Sequence, residues 1–208
     1  MKSDIRVTAP DVAFDMRSDT PEGLDPDTHS PTLKRYHQLL WQKPLPTGDL
    51  FTLVPLGRSA YLVNEGSAGR LPMSSDTIIS SHRKRANALY EQMPADVNAA
   101  FHRNGYTIGG FMLFPGAMID RLPTLNQARG TTRAIEDRFD LTLECIRRFY
   151  LWRGEPSPLR EVIARYYGFF LLFKKFTSFV EFFHLQDLVD EQGHIRFFHP
   201  FEDFTKPA

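Results

Sequence analysis

Residues Gly105–Arg148 carry β-type and helical patterns in one continuous stretch. The run Tyr106–Phe114 is rich in apolar residues and predicts a strand. Its Gly109-Gly110 pair indicates a bulge, or a point at which another backbone or a ligand comes close. From about residue 132 to 152 the apolar residues recur at helical spacing instead, and Pro115-Gly116 separates the two patterns. This combination favours a fold that has both strands and helices.

A helix is predicted near the N-terminus, after a polar, irregular arm over residues 1–28. Ser30 is a favourable N-cap residue, and Pro31 suits the first helical position because its missing N–H costs nothing there. Pro44 ends the helix. The apolar face consists of residues at helical spacing: Leu33, Tyr36, His37, Leu40 and Trp41.

Short apolar runs at Leu50–Pro55 and Ala60–Asn64 predict two strands, which a turn at Gly57–Ser59 joins. Together with the strand at 106–114 they predict a small, mainly antiparallel sheet.

The segment that follows the hairpin predicts a loop and then a helix. Residues 66–74 contain glycine, proline and serine, which favour a loop. Ser75 or Asp76 would cap a helix from about residue 77 to 92, and Pro94 would restart that helix.

The C-terminal half predicts helices at about 158–173 and 175–190. A stripe of phenylalanines at a spacing of three and four residues is typical of core packing. A partly exposed remainder of the stripe would suit a partner protein or a second copy of the chain, so the alternative function is a non-catalytic protein-interaction or self-association module, the latter forming a homo-oligomer. The stripe comprises Phe169, Phe170, Phe173, Phe176, Phe179, Phe182 and Phe183.

We therefore predict one α+β domain over residues 29–208, with a small, mainly antiparallel sheet covered by helices and a predominantly helical C-terminal half. The 208 residues suffice for one core, and 42% of them are hydrophobic.

Charge and cysteine content limit the partners and the compartment. The 25 basic and 25 acidic side chains cancel, so there is no strong nucleic-acid signal and no attraction to an anionic membrane. Lys174 and Lys175 interrupt the apolar stretch Tyr166–Val180, which rules out a spanning helix there. Cys145 has no cysteine partner, and the N-terminus lacks a signal-peptide core, so a cytoplasmic location is expected.

Motifs that would identify a reaction are missing from the sequence. It contains no P-loop, no dinucleotide-binding glycine pattern, no HExxH, no GxSxG and no cysteine-rich metal motif. The sequence therefore identifies no cofactor and predicts no metal site.

A polar group between the predicted strand and the long helix is the best candidate for a ligand site. Arginine can bind a phosphate or carboxylate through two parallel hydrogen bonds, and Asn and Gln supply donors and acceptors. An anionic small molecule or a nucleotide is the expected ligand, with Asp137 or Asp140 as acid or base if burial raises a pKa. The ligand-binding candidates are Asn126, Gln127, Arg129, Arg138 and Arg147.

A structural interpretation of the same residues stays open. The charged side of the 132–152 helix would also suit a solvated face crossed by weak ion pairs. That side carries Arg133, Asp137, Asp140, Glu144, Arg147 and Arg148.

Secondary candidates are His37, Trp41, Lys43 and Asp76. His37 lies on the apolar face of its helix, which favours a hydrogen-bonded core histidine over a catalytic one. Asp25, Asp27 and Asp76 are explained as turn and cap residues.

A series of landmarks resembles a family of uncharacterised bacterial proteins, known only as a domain of unknown function. The resemblance covers about residues 12 to 204 and implies no activity, cofactor or catalytic residue. The landmarks are Asp25-Pro26-Asp27, Ser30–Leu33, Leu40–Pro46, Ser75–Ile78, Thr107–Gly110, Phe114–Gly116, Asn126–Gly130 and Asp137–Arg147.

Overall fold

A four-stranded antiparallel sheet is the central layer of the computed structural model, which describes residues 11–55, 61–67, 69–77, 94–131, 139–151 and 155–196. The strands neighbour one another in chain order, so each pairs with the next along the chain. They are β1 (Thr52–Pro55), β2 (Leu62–Gly66), β3 (Gly69–Thr77) and β4 (Phe111–Pro115).

Helices surround this sheet and make up most of the C-terminal half, which confirms the predicted α+β class. Single 3₁₀ turns lie at Met16–Asp19, Ile108–Gly110 and Gln186–Leu188. The helices are α1 (Pro26–His29), α2 (Pro31–Trp41), α3 (Ala95–Asn104), α4 (Leu125–Thr131), α5 (Phe139–Leu151), α6 (Arg160–Arg165), α7 (Tyr167–Leu171) and α8 (Phe176–Phe182).

Helix α2 begins where the sequence predicts. The backbone N–H of Leu33 donates to Ser30 Oγ at 3.1 Å, and Pro31 occupies the first turn. The Ser30 hydroxyl in turn donates to Asp19 Oδ1 at 2.6 Å, and the Thr32 N–H donates to Asp19 Oδ2 at 2.9 Å. The preceding chain is thereby tied to the helix, since Asp19 satisfies one of its free N-terminal N–H groups.

Residues 11–28 pack against the rest of the fold, whereas composition predicted an irregular arm over residues 1–28. Met16 is completely buried, and Asp15 forms a β-bridge with Thr107. The Gly109 N–H donates to the Val12 carbonyl at 3.0 Å, and a Cβ on Gly109 would lie 3.1 Å from that oxygen. The close approach of another backbone at Gly109 is thus confirmed, with the N-terminal segment as the partner.

The loop predicted for the 66–77 region is wrong, because this segment is strand β3. Asp76 lies opposite Met112 and Ser74 lies opposite Phe114 in the ladder with β4. These polar residues have low intrinsic strand preference, so pairing with the apolar residues of β4 decides their conformation. Most of the helix predicted from residue 77 to 92 lies outside the described residues.

The aromatic stripe of the C-terminal half forms core, as predicted. Each of its phenylalanines is at most 7% exposed. Phe51, which immediately precedes β1, packs against Phe169, Phe173 and Phe182 with ring centroids 5.4–6.4 Å apart. The two long helices predicted here are replaced by the shorter α6, α7 and α8.

Candidate functional site

The residues around Asn126 form a helix, α4, whereas the sequence suggested a loop. Thr124 and Gln127 make a reciprocal capping box at its start. The Gln127 N–H donates to Thr124 Oγ1 at 3.3 Å, and the Thr124 N–H donates to Gln127 Oε1 at 2.9 Å. The backbone N–H and the side-chain oxygen of Gln127 both take part in this cap. Helix initiation therefore explains why a glutamine occupies this position.

Helix α4 packs onto the end of β3 through two polar contacts. Asn126 Nδ2 donates to Ser74 Oγ at 2.7 Å, and Arg129 Nη1 donates to Asp76 Oδ2 at 3.1 Å. The spacing of the residues on the two elements allows both contacts. Asn126 and Arg129 are three residues apart and share a helix face, and their partners are two residues apart and share a strand face. Asn126 Oδ1 is buried and accepts no hydrogen bond within the part of the chain that the structure describes.

Arg129 is completely buried, with a side-chain exposure of 0%. Besides Asp76, it donates from Nη1 to the Thr77 carbonyl at 3.2 Å and from Nε to Thr142 Oγ1 at 3.3 Å. Its guanidinium carbon lies 5.2 Å from the centroid of the Phe114 ring. These contacts place Arg129 as the fixed partner of Asp76, so it orients that carboxylate and does not itself face solvent.

The structure describes one of the two acid–base candidates, Asp140, but not the other. Asp137 and the neighbouring ligand-binding candidate Arg138 lie outside the described residues. Asp140 is partly buried in the first turn of α5, and its Oδ1 accepts from the Leu141 N–H at 3.0 Å. The structure thus leaves the predicted roles of these residues as proposals.

Arg147 contacts a buried carboxylate of its own helix. Its Nε and Nη2 donate to Glu144 at 2.6 and 2.9 Å, and Arg148 Nε donates to the same carboxylate at 2.8 Å. Glu144 is only 3% exposed. The prediction of a solvated charged face is therefore wrong at Glu144, which α5 buries together with Cys145, whose pKa burial raises to about 11.

Asp27 is a candidate that the sequence explained only as a turn residue. It belongs to α1, which packs against β3, and Asp25 caps this helix by accepting from the Asp27 N–H at 3.2 Å. Burial, together with the negative charges of Asp25 and Asp76, raises the pKa of the Asp27 carboxyl to about 8. Within the described residues, no side chain donates a hydrogen bond to this carboxyl.

Tyr61 lies close enough to Asp27 for the aspartate charge to act on it. Its hydroxyl is 3.1 Å from His37 Nδ1, and His37 is completely buried. Burial lowers the pKa of His37 to about 3, so the ring is neutral at physiological pH. The interpretation of His37 as a hydrogen-bonded core histidine is confirmed. Asp27, Tyr61, Asp76 and Arg129 are called the α1–β3 junction below.

Trp41 and Lys43 lie outside this junction. Trp41 is 2% exposed and stacks against Phe182 and His184. Lys43 Nζ lies 2.9 Å from His184 Nε2. The sequence contained no signal for His184, because its contact with Lys43 joins distant parts of the chain.

Three further features of the described residues concern metal ions, membranes and exposed apolar surface. Among the described residues, no cluster of three or more His, Cys, Asp or Glu side chains is arranged to hold a metal ion. Within the same residues, no helix has the length and apolar character required to cross a membrane. Tyr167 and Leu171, which lie one turn apart on α7, are 48% and 46% exposed and form a small apolar patch.

Sequence comparison places the chain in a family. A model described as "Family of unknown function (DUF6994)" matches residues 10–208. The chain belongs to this family. No curated protein and no solved structure matches it significantly. Membership of DUF6994 therefore supplies no activity, and the functional argument depends on the side chains themselves.

Proposed function

We propose that the α1–β3 junction binds a small polar molecule and that the Asp27 carboxyl exchanges a proton with it. One observation carries the proposal: two neighbouring carboxyls are in different environments. Asp27 has a pKa raised to about 8, whereas Asp76 is in an ion pair with Arg129. A carboxylic acid beside a carboxylate is suited to general acid–base chemistry.

The junction favours a ligand that both accepts and donates hydrogen bonds, because protonated Asp27 is a donor and the Asp76 carboxylate is an acceptor. Carboxylate oxygens accept hydrogen bonds, and the charge of Arg129 is already paired with Asp76. Asn126 Oδ1 adds another buried acceptor on the same side of α4. We therefore expect a molecule with hydroxyl or amino groups, such as the nucleoside part of a nucleotide or a sugar. In this proposal Arg129 is a positioning residue, and the anion-binding role passes to Arg138.

A ligand panel tests the proposal with a matched pair of variants. Thermal unfolding is followed with nucleosides, sugars, polyols and small amines for the wild type, Asp27→Asn and Asp187→Asn. Asp187 is an exposed aspartate on a 3₁₀ turn, so its variant controls for the loss of one carboxylate. We expect at least one compound class to stabilise the wild type and Asp187→Asn but not Asp27→Asn.

The pH dependence provides a second readout. Because a ligand that accepts the Asp27 proton in a hydrogen bond needs the protonated carboxyl, its binding weakens as the pH rises through about 8. Equal binding by Asp27→Asn and wild type, or a panel in which no compound stabilises the wild type, contradicts the proposal.

A further inference from the structure

Lys43 and His184 bring two basic side chains together on an aromatic surface, outside the α1–β3 junction. Lys43 Nζ lies 2.9 Å from His184 Nε2. The same ammonium lies 5.1 Å from the Trp41 ring centroid and 4.7 Å from that of Phe182. The His184 ring stacks on Trp41, with centroids 5.7 Å apart and an interplanar angle of 28°. The indole and phenyl faces thus hold both basic groups in a defined position.

No carboxylate of the described part of the chain balances this pair. Within the described residues, neither Lys43 nor His184 makes an ion pair with Asp or Glu. Burial lowers the pKa of Lys43, and burial together with the Lys43 charge lowers that of His184. A neutral His184 accepts a hydrogen bond from the ammonium, but a protonated His184 would put two like charges at hydrogen-bond distance. A bound anion would remove this repulsion.

The backbone at His184 is unfavourable for a histidine. Its φ of 55° lies in the left-handed region. It occupies the residue after the cap of α8 in a Schellman motif, where the Leu185 N–H donates to the Val180 carbonyl at 2.9 Å and the His184 N–H donates to the Glu181 carbonyl at 3.4 Å. Glycine is the usual residue here because it has no Cβ to strain. The strained position of this side chain motivates the hypothesis that the imidazole has a function.

We propose that Lys43 and His184 form a binding site for an anionic group, a phosphate or a carboxylate, beside Trp41. The ammonium supplies a charged donor, and protonated His184 supplies a second one through Nε2. This site is independent of Asp27, and neither proposal requires the other.

Proton uptake accompanies binding at this site. Lys43 is the charged group that acts on His184, and it opposes protonation of the imidazole. Lys174 Nζ donates to the Pro46 carbonyl at 3.0 Å and adds no negative charge. An anion favours the protonated ring, so binding strengthens as the pH falls below the ordinary histidine range.

Inorganic sulfate is a suitable probe, because it remains a dianion over the pH range in which histidine titrates. Low-millimolar sulfate is added at about pH 5.5 and about pH 8, and the His184 ring signals are followed by NMR together with Tm. Chloride at equal ionic strength corrects for general salt effects. We expect saturable shifts of the His184 signals and a rise in Tm at the lower pH, with binding weakened about tenfold at the higher pH.

The variant His184→Gly separates binding from folding. Glycine relieves the left-handed strain, so this variant should have a Tm equal to or a few degrees above that of the wild type while losing about tenfold in sulfate affinity. Lys43→Met should also lose binding. The control Lys175→Ala removes one exposed positive charge at the N-cap of α8, the end opposite His184, and should bind as the wild type does.

Parallel titrations with inorganic phosphate and acetate distinguish the two anionic groups. The anion that binds with the higher affinity shows whether the site prefers a phosphate or a carboxylate. The proposal is overturned if sulfate produces no saturable effect on the wild type at the lower pH. It is equally overturned if His184→Gly and Lys43→Met bind sulfate as tightly as Lys175→Ala.

Discussion

Arg129 Nη1 lies 3.1 Å from Asp76 Oδ2, and this ion pair joins α4 to the end of β3 with the guanidinium completely buried. A buried charge is costly unless it is paired and hydrogen-bonded, so the contact determines where both elements lie. It also fixes the carboxylate whose charge acts on Asp27. The packing of the sheet and the protonation of the proposed site therefore depend on the same pair.

Removal of either partner of this pair should destabilise the protein strongly. We expect Arg129→Met or Asp76→Asn to lower the free energy of unfolding by about 3–5 kcal/mol, because each leaves an uncompensated buried group. The double variant should lose much less than the sum of the two single losses. Urea unfolding measures all three values, and additive losses would show that the two side chains do not interact.

Gly116 and Gly168 should respond oppositely to alanine. A Cβ on Gly116 would lie 2.8 Å from the backbone N of Ser74, whereas one on Gly168 would have no atom within 4 Å. We expect Gly116→Ala to cost about 1–3 kcal/mol, because the rigid β3 backbone must move. Gly168→Ala, within α7, should gain about 0.5–1 kcal/mol. Similar Tm changes in the two variants would contradict this packing of β3 against Gly116.

The elements that local chemistry determines could be predicted from the sequence. Ser30-Pro31 starts α2 because a hydroxyl cap and a proline act on their own turn. Thr124 and Gln127 carry an equally local signal, a capping box, which identifies the start of α4. Strand β3 had no such signal, since its polar residues become a strand only through pairing with β2 and β4.

The candidate site depended on distances that sequence does not contain. Arg129 and Asn126 were identified by residue type, but their partners Asp76 and Ser74 lie on another element. Asp27 was explained from sequence as a turn and cap residue, whereas burial together with the charges of Asp25 and Asp76 raises its pKa. Residue type therefore selected the candidates, and only the structure shows which side chains they contact.

Glu144→Gln should lose stability in a pH-dependent way. Burial raises the pKa of Glu144, but hydrogen bonds from Arg147 and Arg148 and their charges outweigh burial and hold the pKa below its ordinary value. This stabilisation is present above the unfolded-state pKa and is lost as the pH falls through the folded-state pKa. We expect a loss of about 1–3 kcal/mol at neutral pH that shrinks below about pH 4. A loss that is constant with pH in urea unfolding would exclude this role of the carboxylate.

Asp27→Asn should show the opposite pH trend. The folded protein holds the Asp27 proton up to about pH 8, whereas an unfolded aspartate releases it near about 3.9. The stability that protonation contributes is complete below the unfolded-state pKa and is lost as the pH rises through about 8. Asparagine cannot ionise, so the Tm of the variant should rise relative to wild type between about pH 5 and pH 9. A constant difference in Tm would contradict the raised pKa.

The titration of Asp27 itself tests the account most directly. The carboxyl carbon of Asp27 is followed by ¹³C NMR as a function of pH, with Asp27→Asn used to assign the signal. A midpoint at about 8 is predicted, because burial and the charges of Asp25 and Asp76 oppose ionisation. A midpoint near about 4, the ordinary value for aspartate, would contradict the account and remove Asp27 as a proton donor at neutral pH.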